Sequence, residues 1–188
     1  MKRLSNLMLT ANFFSTLFYA VSYPYIYAEM MKVVPKSFIS IEQILACVGT
    51  IVFCSLWNKF SDRLFRHYRL ILWLEVIADI ILFADVIIRQ DLSFYFLLNI
   101  IIYCMITRNL ACGGTKMRAI VNPTEKDRER YDNNANVVCS IATLLGSGAA
   151  MIIDIPLVVL FILAFIGNTV DNFFYLYIYK HIPEKSNQ

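Results

Sequence analysis

Six stretches of mostly apolar residues, at 7–28, 38–57, 70–88, 92–112, 136–155 and 156–179, alternate with short polar segments along the chain. Each is close to the roughly twenty residues that carry an α-helix through the hydrocarbon core of a bilayer, about 30 Å. The pattern predicts an all-α integral membrane domain of six transmembrane helices over residues 1–188. The first stretch has a bend point at Pro24, and the last two meet in a tight hairpin at Asp154, Ile155 and Pro156. Residues 116–134 carry both charge signs and read as a cytoplasmic connection with a short interfacial helix, dividing the spans three and three.

Composition agrees. The chain is 59% hydrophobic and 16% charged, with a mean hydropathy of +0.59. Soluble domains are nearer a quarter charged, and 188 residues enclose too little volume to hide so much apolar surface from water. Met1, Lys2 and Arg3 precede a stretch too long for a signal-peptide core, with no small-residue cleavage site after it, so it reads as a retained span.

Charge sets the orientation. The amino terminus, the 58–69 and 113–135 connections and the carboxyl end together hold thirteen Lys and Arg residues. The opposite side holds three, Lys32, Lys36 and Arg89, and Arg108 lies within a span. The basic side is expected in the cytoplasm with both termini, in a plasma or inner membrane. The pI of about 8.6 therefore reflects topology; the basic residues form no single face that would suit nucleic acid. The five cysteines sit in or beside apolar runs without C-x-x-C or His partners, so they read as packing residues rather than disulfides or metal ligands. No Ser/His, His-rich or H-E-x-x-H constellation suggests an enzyme, and no cofactor or metal is implied.

Polar residues inside the spans are the candidate chemistry. Asn12, Ser15, Tyr19 and Ser22 form one stripe at helical spacing on the first span, and Tyr95, Asn99, Tyr103 and Thr107 another on the fourth. Such stripes either line a watery cavity or join helices by hydrogen bonds. Ala142, Gly146, Gly148, Ala149 and Ala150 are a small-residue patch for close helix contact. Glu75 and Asp79 share one face of the third span, and Arg108 lies at similar depth. Charges there are costly unless paired, protonated or facing water, so the group reads as a proton or cation relay, or as a structural Glu75–Arg108 pair beside a neutral acid. Asp171 and Glu42 read as residues near span ends, and His67 as solvated.

The segment W-N-K-F-S-D-R-L-F-R-H-Y-R at 57–69 resembles the signature G-x-L-x-D-R-x-G-R-R/K between the second and third helices of the major facilitator superfamily. Asp62 and Arg63 match its D-R pair and Arg66 its later basic position; Asn58 and Phe65 replace its glycines. The proline-bearing 23–27 segment, Arg108 with Gly113 and Gly114, and Ile182, Pro183 and Glu184 resemble further marks of the amino-terminal half of such transporters. The fifth-helix antiporter motif survives only at Gly146. The resemblance implies two inverted three-helix repeats, first and fourth helices lining a cavity, a peripheral third helix, and transport of a small solute by alternating access. Because full transporters have twelve helices, it also implies a homodimer or a second six-helix half as partner. The alternative is a truncated, degenerate or accessory half without transport of its own. Asp62 is expected to hold helix ends together through Arg63, Arg66 or Arg108.

Overall fold

The computed structural model describes residues 1–89, 97–99, 101–102, 106–152 and 155–182, without the side chains of Lys36, Phe38, Ile39, Glu42, Arg89 and Arg108. Among the described residues the chain is helical throughout, with no strand. The main helices are α1 (Lys2–Val33), α2 (Lys36–Arg66), α3 (Tyr68–Arg89), α4 (Arg108–Val121), α5 (Glu125–Ile152) and α6 (Leu157–His181). Residues 97–99 and 101–102 are also helical, and 106–107 form a wider turn leading into α4. Of the fourth predicted span, residues 92–96, 100 and 103–105, Tyr95 and Tyr103 among them, lie outside the described residues.

Among the described residues, four helices are long and apolar enough to cross a membrane: Lys2–Val33, Gln43–Arg66, Glu125–Ile152 and Leu157–His181. α3 has the length, but Glu75, Asp79 and Asp85 leave it too charged to qualify on composition. The outer surface fits lipid, with Ile88, Leu144, Met151 and Ile152 each more than 70% exposed, while Glu75, Asp79 and Asn172 are buried. A bundle with apolar groups outside and carboxylates inside suits a solvent without water.

Prolines set several boundaries. Pro35 forces Val34 into extended backbone and ends α1; Pro123 separates α4 from α5; Pro156 starts α6. Thr124 then caps α5, accepting the Asp127 backbone N–H at 3.1 Å, with Glu125 and Asp127 favourably placed in the first turn. The predicted 116–134 connection is therefore itself mostly helical, broken only at 122–124.

The 57–69 segment is also mainly helix. With no Gly or Pro between residues 50 and 66, nothing stops α2, which kinks at Phe60 (φ −125, ψ 28) and continues to Arg66. His67 alone makes the turn into α3, its N–H bonded to the Leu64 carbonyl at 3.0 Å. At 1.5 Å per residue α2 is about 46 Å long, so it exceeds the hydrocarbon core.

α1 is the central helix, packed along both α5 and α6; α6 also packs on α3, and α4 packs on α2 and α3. On α5, Ala142, Gly146 and Ala150 are buried at four-residue spacing. A β-carbon on Gly146 would lie 2.7 Å from the Leu17 carbonyl oxygen and 2.9 Å from Ala20 Cβ. On α6, one on Gly167 would lie 2.8 Å from Phe18 Cβ. Gly146 and Ala150 thus serve packing within one bundle, whereas Gly148 faces open space. At the α3–α4 contact, a methyl on Gly113 would enter the ring of buried Tyr68.

Two apolar clusters occupy opposite ends of the bundle. One joins residues from all six helices, including Met8, Trp57, Tyr68, Met117, Tyr131 and Ile178. The other joins Val21, Ile26, Met30, Ala46, Val86 and Phe161.

Two outcomes test this packing. Gly146→Ala and Gly113→Ala should each lower stability by about 1–3 kcal/mol through overpacking. Gly148→Ala, in open space, should be neutral or raise stability by up to about 1 kcal/mol through helix propensity; thermal unfolding in detergent distinguishes them. Cys54 Sγ on α2 and Cys112 Sγ on α4 lie 3.7 Å apart. Mild copper–phenanthroline oxidation should therefore link their peptides, as read by mass spectrometry.

Candidate functional site: a polar cavity between the apolar ends

Between the two apolar clusters the helices turn polar residues inward. Contact with Gly146 and Gly167 fixes the rotation of α1, so Asn12, Ser15, Tyr19 and Ser22 face a cavity in two lobes. The first lobe, about 450 Å³, also receives Asn99 and Thr107 from the α4 region, Gln43 from α2, and Phe165 and Asn168 from α6. The second, about 730 Å³, reaches toward the α4–α5 break and is lined by Arg118, Asp132, Asp171 and Asn172 among others. Ser15, Tyr19, Glu75, Thr107 and Asn168 belong to both lobes, which makes them adjoining compartments.

α3 lies at the outside of the bundle, with Leu70, Ile77, Ile81 and Ile88 exposed, yet one of its faces reaches the cavity. Its packing on α6 and α4 turns Glu75 and Asp79 into the first lobe. Both are only 7% exposed. Thr107 Oγ1 donates to Glu75 Oε1 at 3.2 Å, and Asn168 reaches Asp79. Glu75 Oε2 and Asp79 Oδ2 are buried without a hydrogen-bond partner among the described residues. The suggested Glu75–Arg108 pair lies outside the described residues, because it needs the Arg108 side chain.

At the α4–α5 end, Asn12 Nδ2 donates to Tyr131 OH at 3.0 Å. Arg118 pairs with Asp132 at 2.9 Å, and Ser5 donates to Asn122 Oδ1 at 3.0 Å. α1 is thereby tied to the head of α5. At the other end, Tyr19, Tyr23 and Tyr27 stack in a ladder along α1, with ring centroids 4.5 and 5.7 Å apart; all three line the first lobe.

Asp62 lies apart from the cavity. It is exposed, beyond the Phe60 kink, and pairs with Lys116 of α4 at 2.5 Å. The cation it meets is thus Lys116, rather than its near neighbours Arg63 or Arg66, because α4 packs along α2 and carries Lys116 across. Ser22 lines the cavity while its hydroxyl returns to the Phe18 carbonyl at 2.7 Å.

Some lining residues were absent from the sequence-based site. Asn168, Asp171 and Asn172 follow i, i+3, i+4 spacing in an otherwise apolar helix, the same signal that marks the α1 stripe. Asp171 is a cavity residue rather than a span-end one, and its Oδ1 is buried without a hydrogen-bond partner among the described residues. Tyr131 carried no such signal, since it stands in a charged segment.

Composition and the four long helices define an α-helical membrane protein, here with a polar cavity inside the bundle. Among known proteins, no family profile, curated sequence or solved structure matches the chain.

Asp62 is solvent-exposed while Lys116 is largely covered, so losing the Asp62 end of the pair should cost little. Asp62→Asn should leave thermal unfolding in detergent nearly unchanged, with only a small coupling to Lys116→Met in the double mutant. A larger coupling in thermal unfolding would show that the pair is shielded from water.

Proposed function

We propose that the chain is a half-size, major-facilitator-like transporter. It would move a small solute by alternating access once two copies, or this chain and a second six-helix half, face one another. The observation that carries this reading is the two-lobed polar cavity, set between apolar clusters at opposite ends of an otherwise apolar bundle. Such a cavity offers a solute polar partners at mid-depth, while the clusters stand where gates are needed.

The neighbour relations support the same reading. α1 meets α5 and α6, while α4 meets α2 and α3; α3 meets α6, and α1 meets α4. Exchanging α1, α2 and α3 for α4, α5 and α6 returns this same set, as two inverted repeats require. The α2–α3 elbow is the exception. In this proposal α3 and the segment at 92–112 complete six spans, and the basic connections and both termini lie in the cytoplasm. A partner would cover the cavity side; the Gly146 stripe is already occupied by α1.

A second reading, a non-transporting accessory half, draws on Asn58 and Phe65, which remove the signature glycines and leave α2 helical to Arg66.

Topology and transport are tested separately. Single-cysteine probes near Lys36 and Arg89 should react from outside intact cells, and probes near Arg66 and Glu125 should not. Labelling near Glu125 would reverse the orientation. Proteoliposomes with the full chain should accumulate or exchange a labelled solute, and native mass spectrometry of the gently extracted protein should show a dimer or a second half. A strict monomer without exchange would favour the accessory reading.

A further inference from the structure

The first lobe combines two features that together specify a ligand class. Glu75 and Asp79 stand one turn apart on α3, with Cβ atoms about 5–6 Å apart by helix geometry, close enough for one positive centre to meet both. Each is more than nine-tenths buried, lines the lobe and keeps one carboxylate oxygen without a hydrogen-bond partner among the described residues. The second feature is the stacked ladder of Tyr19, Tyr23 and Tyr27, an aromatic surface in the same lobe. Aromatic faces attract cations and also accept apolar bodies.

We propose that this lobe binds a monovalent organic cation, its ammonium head at Glu75 and Asp79 and its apolar body on the α1 tyrosines. The lobe, at about 450 Å³, lies within the size range of small-molecule sites. An inorganic divalent ion fits less well. No group of three or more His, Cys, Asp or Glu residues suited to a metal occurs among the described residues. An anionic solute would meet both acids, and no cationic side chain lines this lobe among the described residues. Arg118 lines the other lobe and is paired with Asp132. The proposal names the ligand class of the cavity on which the transport reading rests; binding itself does not require transport.

The test uses the full chain in nanodiscs with phenyltrimethylammonium, and benzenesulfonate as an anion of similar size, by isothermal titration calorimetry. The cation should bind at least tenfold more tightly than the anion. Glu75→Gln and Asp79→Asn should each weaken it tenfold or more, while Asp62→Asn, outside the cavity, should leave it unchanged. A second measurement needs no variant: phenyltrimethylammonium should slow modification of Glu75 or Asp79 in the wild type by dicyclohexylcarbodiimide, read by mass spectrometry. Folded wild type that shows neither cation binding nor protection overturns the proposal, as it would if Arg108 itself supplied the positive charge. Equal binding of cation and anion overturns it too. Cation binding without uptake in proteoliposomes upholds the ligand class and removes the transport reading. Uptake of neutral or anionic solutes without cation binding does the reverse.

Discussion

The close seating of α1 between α5 and α6 governs the rest of the structure. Gly146 and Gly167 bring two helix backbones against α1 on one side, near Leu17, Phe18 and Ala20. Without water in the surroundings, helix association depends on such contact and on interhelical hydrogen bonds. Once that side of α1 is occupied, Asn12, Ser15, Tyr19 and Ser22 must face elsewhere, and the inward direction is where polar groups find partners. Tyr25 strengthens the seat, its hydroxyl donating to the Ala150 carbonyl at 2.8 Å. The position of the cavity follows from where α1 is held.

A second constraint concerns depth. The apolar cluster at the α4–α5 end gathers Met8, Leu72, Met117 and Ile178, and the opposite one gathers Met30, Val86 and Leu160. Glu75, Asp79, Asn168 and Asn172 fall between them along α3 and α6. Buried carboxylates at that level need partners or a cavity. Here they receive Thr107 and Asn168 on one side and open space on the other. The polar middle and the apolar ends therefore belong to one arrangement.

Much of the helix pattern could be read from the sequence, because long apolar runs and prolines at 35, 123 and 156 are local signals. The ends of the helices were harder. The 57–69 segment looked like a loop by its charges and its likeness to a family motif, yet absent glycine and proline let α2 continue nearly to its end. Residues 116–134 likewise looked like a connection, although their charges stand on helices that extend past the apolar stretch. Of the site, the stripe on α1 was visible because polar residues at helical spacing stand out in an apolar span. Asn168 and Asp171 gave the same signal more faintly. What could not be read was pairing at long range: Tyr131 with Asn12 across 119 positions, Lys116 with Asp62, and the turn of Glu75 and Asp79 into the cavity. These depend on which helices become neighbours, which no local spacing encodes.

The seating of α1 also has a consequence for biosynthesis. α1 docks on helices made well after it: the Tyr25 bond to Ala150 spans 125 positions. A ribosome adding about 5–20 residues per second needs roughly 6–25 s to cover that distance. Throughout that interval α1 is in the membrane without its partners, with Asn12, Ser15 and Ser22 still awaiting a cavity. The insertion machinery, or a neighbouring chain, must shelter this helix until α5 and α6 emerge, and a premature stop after α4 would release a fragment whose central helix has no seat.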